Sequence, residues 1–503
     1  MPNPRPIAVF LLYLPLALAG ANSRNPDAWI PVRWPGGPLE TAVRAKAGTL
    51  PADAAAREAI DSWYDSATLG LLDGSPLNCL LLTWSAGADP ELERRQQALV
   101  KAYANEAHKR EFVVLGLVYA GADIDKAARA AASAQLDGLV LDGKFPGSRT
   151  ADGIAVISIA PDAPAARAVS GPLVAVEGVA PGSKNLAEMG MRSAPSSEPW
   201  IQSNIWLVRA LRNSPRRPVW ISQQPESGSA EEYARSVADA AVGGGRWIVS
   251  LDDALRAGLR RHDPGALATW RRIAGLLAFA EQHADWRAFE PYGNLAIVED
   301  PASASPEVSD EYLNLVARRQ VPYRRMARAQ LGAASLAAFQ AVIATDLAPP
   351  SAAEREVLRA FAERGGLVVA GPSWGNPPKD QPYSEVAVGK GRVAVYKDPD
   401  PESVARDLKD LLSHEAMGMV TFNVPSVITY ASTGDGGKRL LVQLLNYSKW
   451  PAEAITIRVA GTYKTARMYM PDTAPADLPV TVEAGKTEVS IAKLPLWGGL
   501  LLE

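Results

Sequence analysis

Apolar residues over the first 290 positions gather in short runs separated by amphipathic stretches. The runs at 29–34, 77–84, 112–119, 136–142, 154–159, 173–177, 218–223 and 246–252 read as strands. Most are apolar along their whole length, as expected of strands covered on both faces. Helical periodicity falls between them, at 52–72, at 90–110 with Asp89 as N-cap, at 124–134, and at 264–284 with Asp263 as N-cap. Residues 35–38 (Pro-Gly-Gly-Pro) read as a turn. Eight strands with intervening helices predict a (β/α)8 TIM-like barrel over 22–290. The connections between the fourth and sixth strands are too short for full helices, so the barrel is expected to be degenerate. Residues 179–217 form an excursion long enough to cover the strand ends.

The pattern then changes. Strands at 295–298, 341–345, 367–370 and 392–396 alternate with helices at 306–319, 351–364 and 402–412. Ser305 is the expected N-cap of the first helix, and Ser351 with Glu354 makes a capping box for the second. This βα order predicts a parallel, flavodoxin-like α/β domain over 291–415. Beyond it, runs at 424–430, 440–446, 455–459, 466–470, 480–482, 487–491 and 498–502 are divided by turns without helical periodicity. They predict a small antiparallel β-sandwich over 416–503.

Residues 1–21 have the order of a secretory signal: Arg5, an apolar run at 7–19, then Ala19-Gly20-Ala21. The run falls short of the ~20 residues of a membrane span, so a secreted or periplasmic protein without a membrane anchor is expected. A net charge of −3 with no basic run argues against nucleic acid as a partner. The single cysteine, Cys79, cannot form an intrachain disulfide, and His108, His262, His283 and His414 lack metal-ligand spacing. No metal or cofactor is implied.

Candidate chemistry sits at strand ends. The fourth strand ends in Asp142-Gly143 and the sixth in Glu177-Gly178. Acids at the C-terminal ends of parallel strands lie where barrel enzymes build their sites. Alternation puts Asp142 on the face of Val140, Glu177 on that of Ala175, and Asp252 on that of Ser250. Two carboxyl groups flanking one bond are the requirement of glycoside hydrolysis. On this reading Glu177 is nucleophile or base, Asp142 general acid, and Asp252 a reserve. Asp253 is read as the cap of a helix at 254–259. Arg33 could pair with one acid, and Arg33, Trp34, Trp84, Trp200 and Gln223 are candidates to bind a sugar, tryptophan by stacking. The same acids could equally cap helices or form structural ion pairs. A G-x-S-x-G at 371–375 places Ser373 after a strand, but no helical pattern follows, and its base would have to be His414. Gly243-Gly244-Gly245 precedes a strand, which makes it a poor phosphate cradle.

The order of leader, barrel, α/β unit and sandwich resembles bacterial family 42 type β-galactosidases. The stretch 295–374, with residues 363–369 leading into a strand and no cysteine, resembles that family's trimerisation domain, a glutamine-amidotransferase-like fold without its nucleophile. The resemblance implies a carbohydrate substrate and a homo-oligomer formed through the middle domain. It does not supply catalytic residues. The family carries Asn-Glu after strand four and Glu after strand seven, where this chain has Asp142-Gly143 and Gln223-Gln224. Three readings stay open: a glycoside hydrolase, a non-catalytic carbohydrate-binding protein of the same architecture, and an esterase using Ser373.

Overall fold

The computed structural model describes residues 25–145, 154–184, 200–212, 216–225, 228–300, 302–303, 306–345, 347–374, 379–424 and 426–503. The expected signal, the Ser305 cap and Gly375 of the G-x-S-x-G lie outside the described residues, as does much of the long excursion.

The N-terminal unit is an all-parallel ring. Strands Pro31–Arg33, Cys79–Ser85, Val113–Tyr119, Gly138–Asp142, Ala155–Ala160, Val174–Glu177 and Val219–Ser222 pair in sequence order. The last run closes it in two pieces. Arg246–Trp247 pairs with the seventh strand and Val249–Ser250 with the first. Nine pieces thus occupy eight strand positions.

Alternation sorts the side chains. Leu81, Leu117, Val140, Ile159, Ala175, Trp220 and Ile248 form one buried cluster, the barrel interior. Leu80, Leu82, Val114, Leu139, Leu141, Val174, Val176 and Ile221 belong to a second, outer cluster packed against the helices. The interior is thus a packed apolar core and not an open channel.

Two helices depart from expectation. Residues 35–38 do not simply turn, because a helix begins at once, Gly37–Ala47. Its Gly37 has φ +82°, and Gln96 lies where a Cβ would fall. The helix expected over 52–72 is split into Ala54–Asp61 and a 3-10 turn at Ser66–Leu72. At the break Trp63 and Tyr64 turn into the core, and Asp65 caps the second piece through Ala67 N–H.

The middle unit is a six-stranded sheet. Its parallel strands Leu295–Glu299, Tyr323–Ala327, Ala341–Ile343, Leu367–Ala370 and Gly391–Tyr396 lie in the order 2-1-3-4-5. Tyr383–Val388 adds an antiparallel edge. The sequence pattern missed Tyr323–Ala327 because Arg324 and Arg325 interrupt it. Arg325 is accommodated by a bidentate pair with Glu299 on the neighbouring strand, at 2.6 and 3.1 Å.

The C-terminal unit packs two antiparallel sheets over a buried apolar layer. Its larger sheet also covers the barrel's flank, since Ile428, Tyr430, Leu441, Leu445, Tyr447, Trp497 and Leu501 belong to the barrel's outer cluster. At the junction Arg209 of the barrel stacks on two rings, 4.7 Å from the centroid of Tyr323 in the middle sheet and 4.0 Å from that of Tyr430 in the sandwich.

Candidate functional site

Above the apolar interior, the next inward-facing positions are polar. The C-terminal rim of the ring carries Arg33, Thr83, Tyr119, Asp142, Glu177, Ser222 and Ser250. Thr83, Ser222 and Ser250 are buried there while Glu177 is exposed, at the face where barrel sites form.

Arg33 organises it. One of its nitrogens lies 2.5 Å from Asp142 Oδ2 and the other donates to Ser222 Oγ at 2.9 Å, so the guanidinium spans from the fourth strand to the seventh. Burial works against the charge on Arg33, but Asp142, then Tyr119 and Glu40, outweigh it and raise its pKa. Ser222 is in register with Glu177. The Glu177 carboxylate is exposed, and among the described residues it has no ion pair or side-chain hydrogen bond. The rim therefore holds two carboxylates of different character, one tied to a cation and one open.

A carboxylate that the sequence did not single out lies close enough to Arg33 to support its charge. Glu40, on the helix Gly37–Ala47, is buried and accepts from Thr83 Oγ1 and Tyr119 O–H, both at 2.7 Å, while its other oxygen meets Arg44 Nε at 2.7 Å. Arg44 continues to Asp253 at 2.6 Å. Burial and the neighbouring Glu40 push the Tyr119 phenol well up. These bonds tie the helix Gly37–Ala47 to the second and third strands at the rim. The only hint in the sequence is an acid two residues past the Pro-Gly-Gly-Pro stretch at 35–38.

The other sequence candidates fall elsewhere. Trp34 follows Arg33 directly, so it must face the opposite way. It is fully buried, donates to Tyr103 O–H at 2.8 Å and packs on Trp63. Trp84 shares the outward face of Leu80 and Leu82, lies against Gly116 and donates to the Ala127 carbonyl at 2.9 Å. Both are core residues, not sugar platforms. Trp200 stacks under Arg318 of the middle unit at 3.7 Å. Gln223 is buried and donates to Ser236 Oγ at 2.6 Å. Asp252 does not serve the rim. Its carboxylate caps the helix Asp253–Arg260 through Leu255 N–H at 2.7 Å and takes the Tyr233 hydroxyl at 2.8 Å. Asp252, not Asp253, is therefore the cap of this helix, and Asp253 pairs with Arg44.

In the middle unit Ser373 sits in a short 3-10 turn, Pro372–Trp374, after the fourth parallel strand. His414 follows the helix Pro401–Leu411, which runs back toward the opposite end of the sheet. The pair needed for a serine hydrolase is not assembled. Among the described residues no group of three or more His, Cys, Asp and Glu side chains converges as metal ligands would, and no helix is long and apolar enough to cross a membrane.

No family model and no curated protein matches the chain. Among solved structures it is similar to the α-L-fucosidase isoenzyme 2 of Paenibacillus thiaminolyticus, with TM-score 0.55 and 11% identity over 87% of this chain and 96% of that one. It also matches the β-galactosidase of Bacillus circulans sp. alkalophilus, with TM-score 0.38 and 10% identity over 81% and 68% of the two chains. A family 42 exo-carrageenase of Bacteroides ovatus matches with TM-score 0.35 and 12% identity over 82% and 55%. At 11% identity the match to the fucosidase is a likeness of fold.

Proposed function

We propose that the protein is a glycoside hydrolase in which Asp142 and Glu177 are the working carboxylates. The observation that carries this reading is the Arg33–Asp142 pair at 2.5 Å beside an open Glu177 on the same rim. Arg33 fixes the Asp142 carboxylate in place, while Glu177 is open to an incoming ligand. Which of the two is the acid and which the nucleophile or base is read from the pH dependence of turnover in the two single variants. The two strands are separated by one neighbour and the register sets Glu177 two residues further along than Asp142, so their Cα atoms lie roughly 12 Å apart at ~4.8 Å per strand and ~3.3 Å per residue. Side chains converging from there can take up either glycosidase spacing. The fold likeness to glycoside hydrolases supports a carbohydrate as the substrate class.

Hydrolysis of a glycan panel by the wild type, D142N and E177Q tests the reading. Each variant should lose turnover by about a thousandfold or more while remaining folded. Full activity in either variant excludes that residue. Saturable sugar binding without turnover in the wild type would replace the hydrolase with a carbohydrate-binding protein.

The leader-like order of residues 1–21 supports export with processing near Ala21, which mass spectrometry of the mature N-terminus decides. A homo-oligomer through the middle unit is supported by the edge strand Tyr383–Val388, which pairs on one side only and leaves Val386 half exposed. Light scattering that shows only monomer at micromolar concentration would remove it.

A further inference from the structure

The turn that follows Glu177 is clamped by a buried relay that begins in another unit. Gly178 donates to the Ser222 carbonyl at 2.9 Å. A Cβ at 178 would fall 2.5 Å from Ile221 and 2.6 Å from Asn204 Oδ1, so only glycine lets the chain pass this close. Asn204 then holds Val179 by both backbone groups. Its Oδ1 accepts from Val179 N–H at 2.8 Å and its Nδ2 donates to the Val179 carbonyl at 2.9 Å. The same Nδ2 and the Asn204 backbone N–H both donate to Asp239 Oδ2, at 2.9 and 2.8 Å. The remaining oxygen of Asp239 takes Ser203 Oγ at 2.7 Å and the Tyr447 hydroxyl at 2.5 Å.

Asp239 and Tyr447 are both fully enclosed. Burying a carboxylate is costly unless its lone pairs are filled, and here four donors from two separated stretches of chain, 203–204 and Tyr447, fill them. The Tyr447 hydroxyl also reaches Ser203 Oγ at 2.8 Å, so losing it leaves Asp239 Oδ1 with Ser203 alone and frees Ser203, which adjoins Asn204 in the chain. The Asn204 side chain has no freedom to move without releasing Val179, two residues from the open carboxylate.

We propose that Tyr447, reaching in from the C-terminal sandwich, is a positioning residue for Glu177, acting through Asp239 and Asn204. This rests on the reading of Glu177 as a reacting group, and it makes the sandwich part of the site.

The test uses the full chain with Y447F, which removes one oxygen and keeps the ring, and N204A as a second variant. Peptide-resolved hydrogen exchange should quicken about tenfold over residues 174–183 in Y447F, while the stretch 138–142 stays as in the wild type. On any glycan the wild type hydrolyses, kcat should fall about tenfold with KM within twofold, and N204A should fall at least as far. Unchanged exchange at 174–183 overturns the proposal. So does equal quickening across the whole barrel–sandwich contact, which would mean simple loosening, and so does quickened exchange with unaltered kcat. If the wild type hydrolyses nothing, the hydrolase reading fails on its own, and exchange at 174–183 alone decides whether the relay holds this turn.

Discussion

Arg33 and Asp142 face each other at 2.5 Å from the first and fourth strands of the barrel, and both side chains are largely withdrawn from water, at 13% and 22% exposure. Removing either partner leaves the other charge poorly solvated. R33M and D142N should each lower stability by about 3 kcal/mol, and the double variant by less than the sum of the two. Urea unfolding of the three proteins measures this coupling. R33M should also reduce any glycan hydrolysis by about a hundredfold, because Asp142 loses both its counter-charge and its fixed orientation.

Trp34 and Trp84 should matter to the fold and not to a ligand. Each is fully buried with its indole N–H bonded. Truncation to alanine should cost about 3–5 kcal/mol in denaturant unfolding, with sugar affinity of the folded fraction unchanged.

Asp252 is a helix cap and a partner of Tyr233. D252A should lower the unfolding free energy by about 1–2 kcal/mol and leave turnover within twofold. A loss of turnover comparable to that of D142N would return Asp252 to the site.

Acid should open the base of the barrel through Glu281. Burial alone would raise its pKa, but hydrogen bonds from Arg287 and Arg246 reverse this and bring it down to about 2. The folded value lies below the unfolded one, so the contribution is complete above about pH 4.5 and is lost as pH falls toward 2. Its size is about 3 kcal/mol. E281Q should be less stable than the wild type at neutral pH and should lose less stability over that interval, as followed by thermal unfolding at stepped pH.

Ser373→Ala should leave any hydrolysis within twofold, since His414 lies toward the other end of the sheet. A drop beyond tenfold, equivalent to ~1.4 kcal/mol in barrier, would revive the esterase.

The barrel strands were legible because each is a short apolar run, and the inward face of Asp142 and Glu177 followed from period-two alternation. The same alternation excluded Trp34 once Arg33 was placed inward, and it put Trp84 with Leu80 and Leu82. Judging tryptophan by its chemistry instead of its register misplaced both. Edge strands were harder to read. Tyr323–Ala327 bears two arginines, and Tyr383–Val388 is mostly exposed, so neither carries a buried pattern. Glu40 could not be found by spacing, because its partners Thr83, Tyr119 and Arg44 come together only when the ring closes. Nor was there any local sign that Tyr447 reaches Asp239, since the bond joins units far apart in the chain.

The sandwich's cover of the barrel flank has a consequence for synthesis. On a chain made from its N-terminus, all eight barrel strands emerge before Ile428, Leu441, Tyr447, Trp497 and Leu501, which complete the outer apolar cluster. Phe279, at the end of the barrel, waits for Trp497 to dock edge-on at 4.8 Å. A nascent barrel therefore spends the interval with a bare hydrophobic side, the condition under which chaperone capture and aggregation compete with folding.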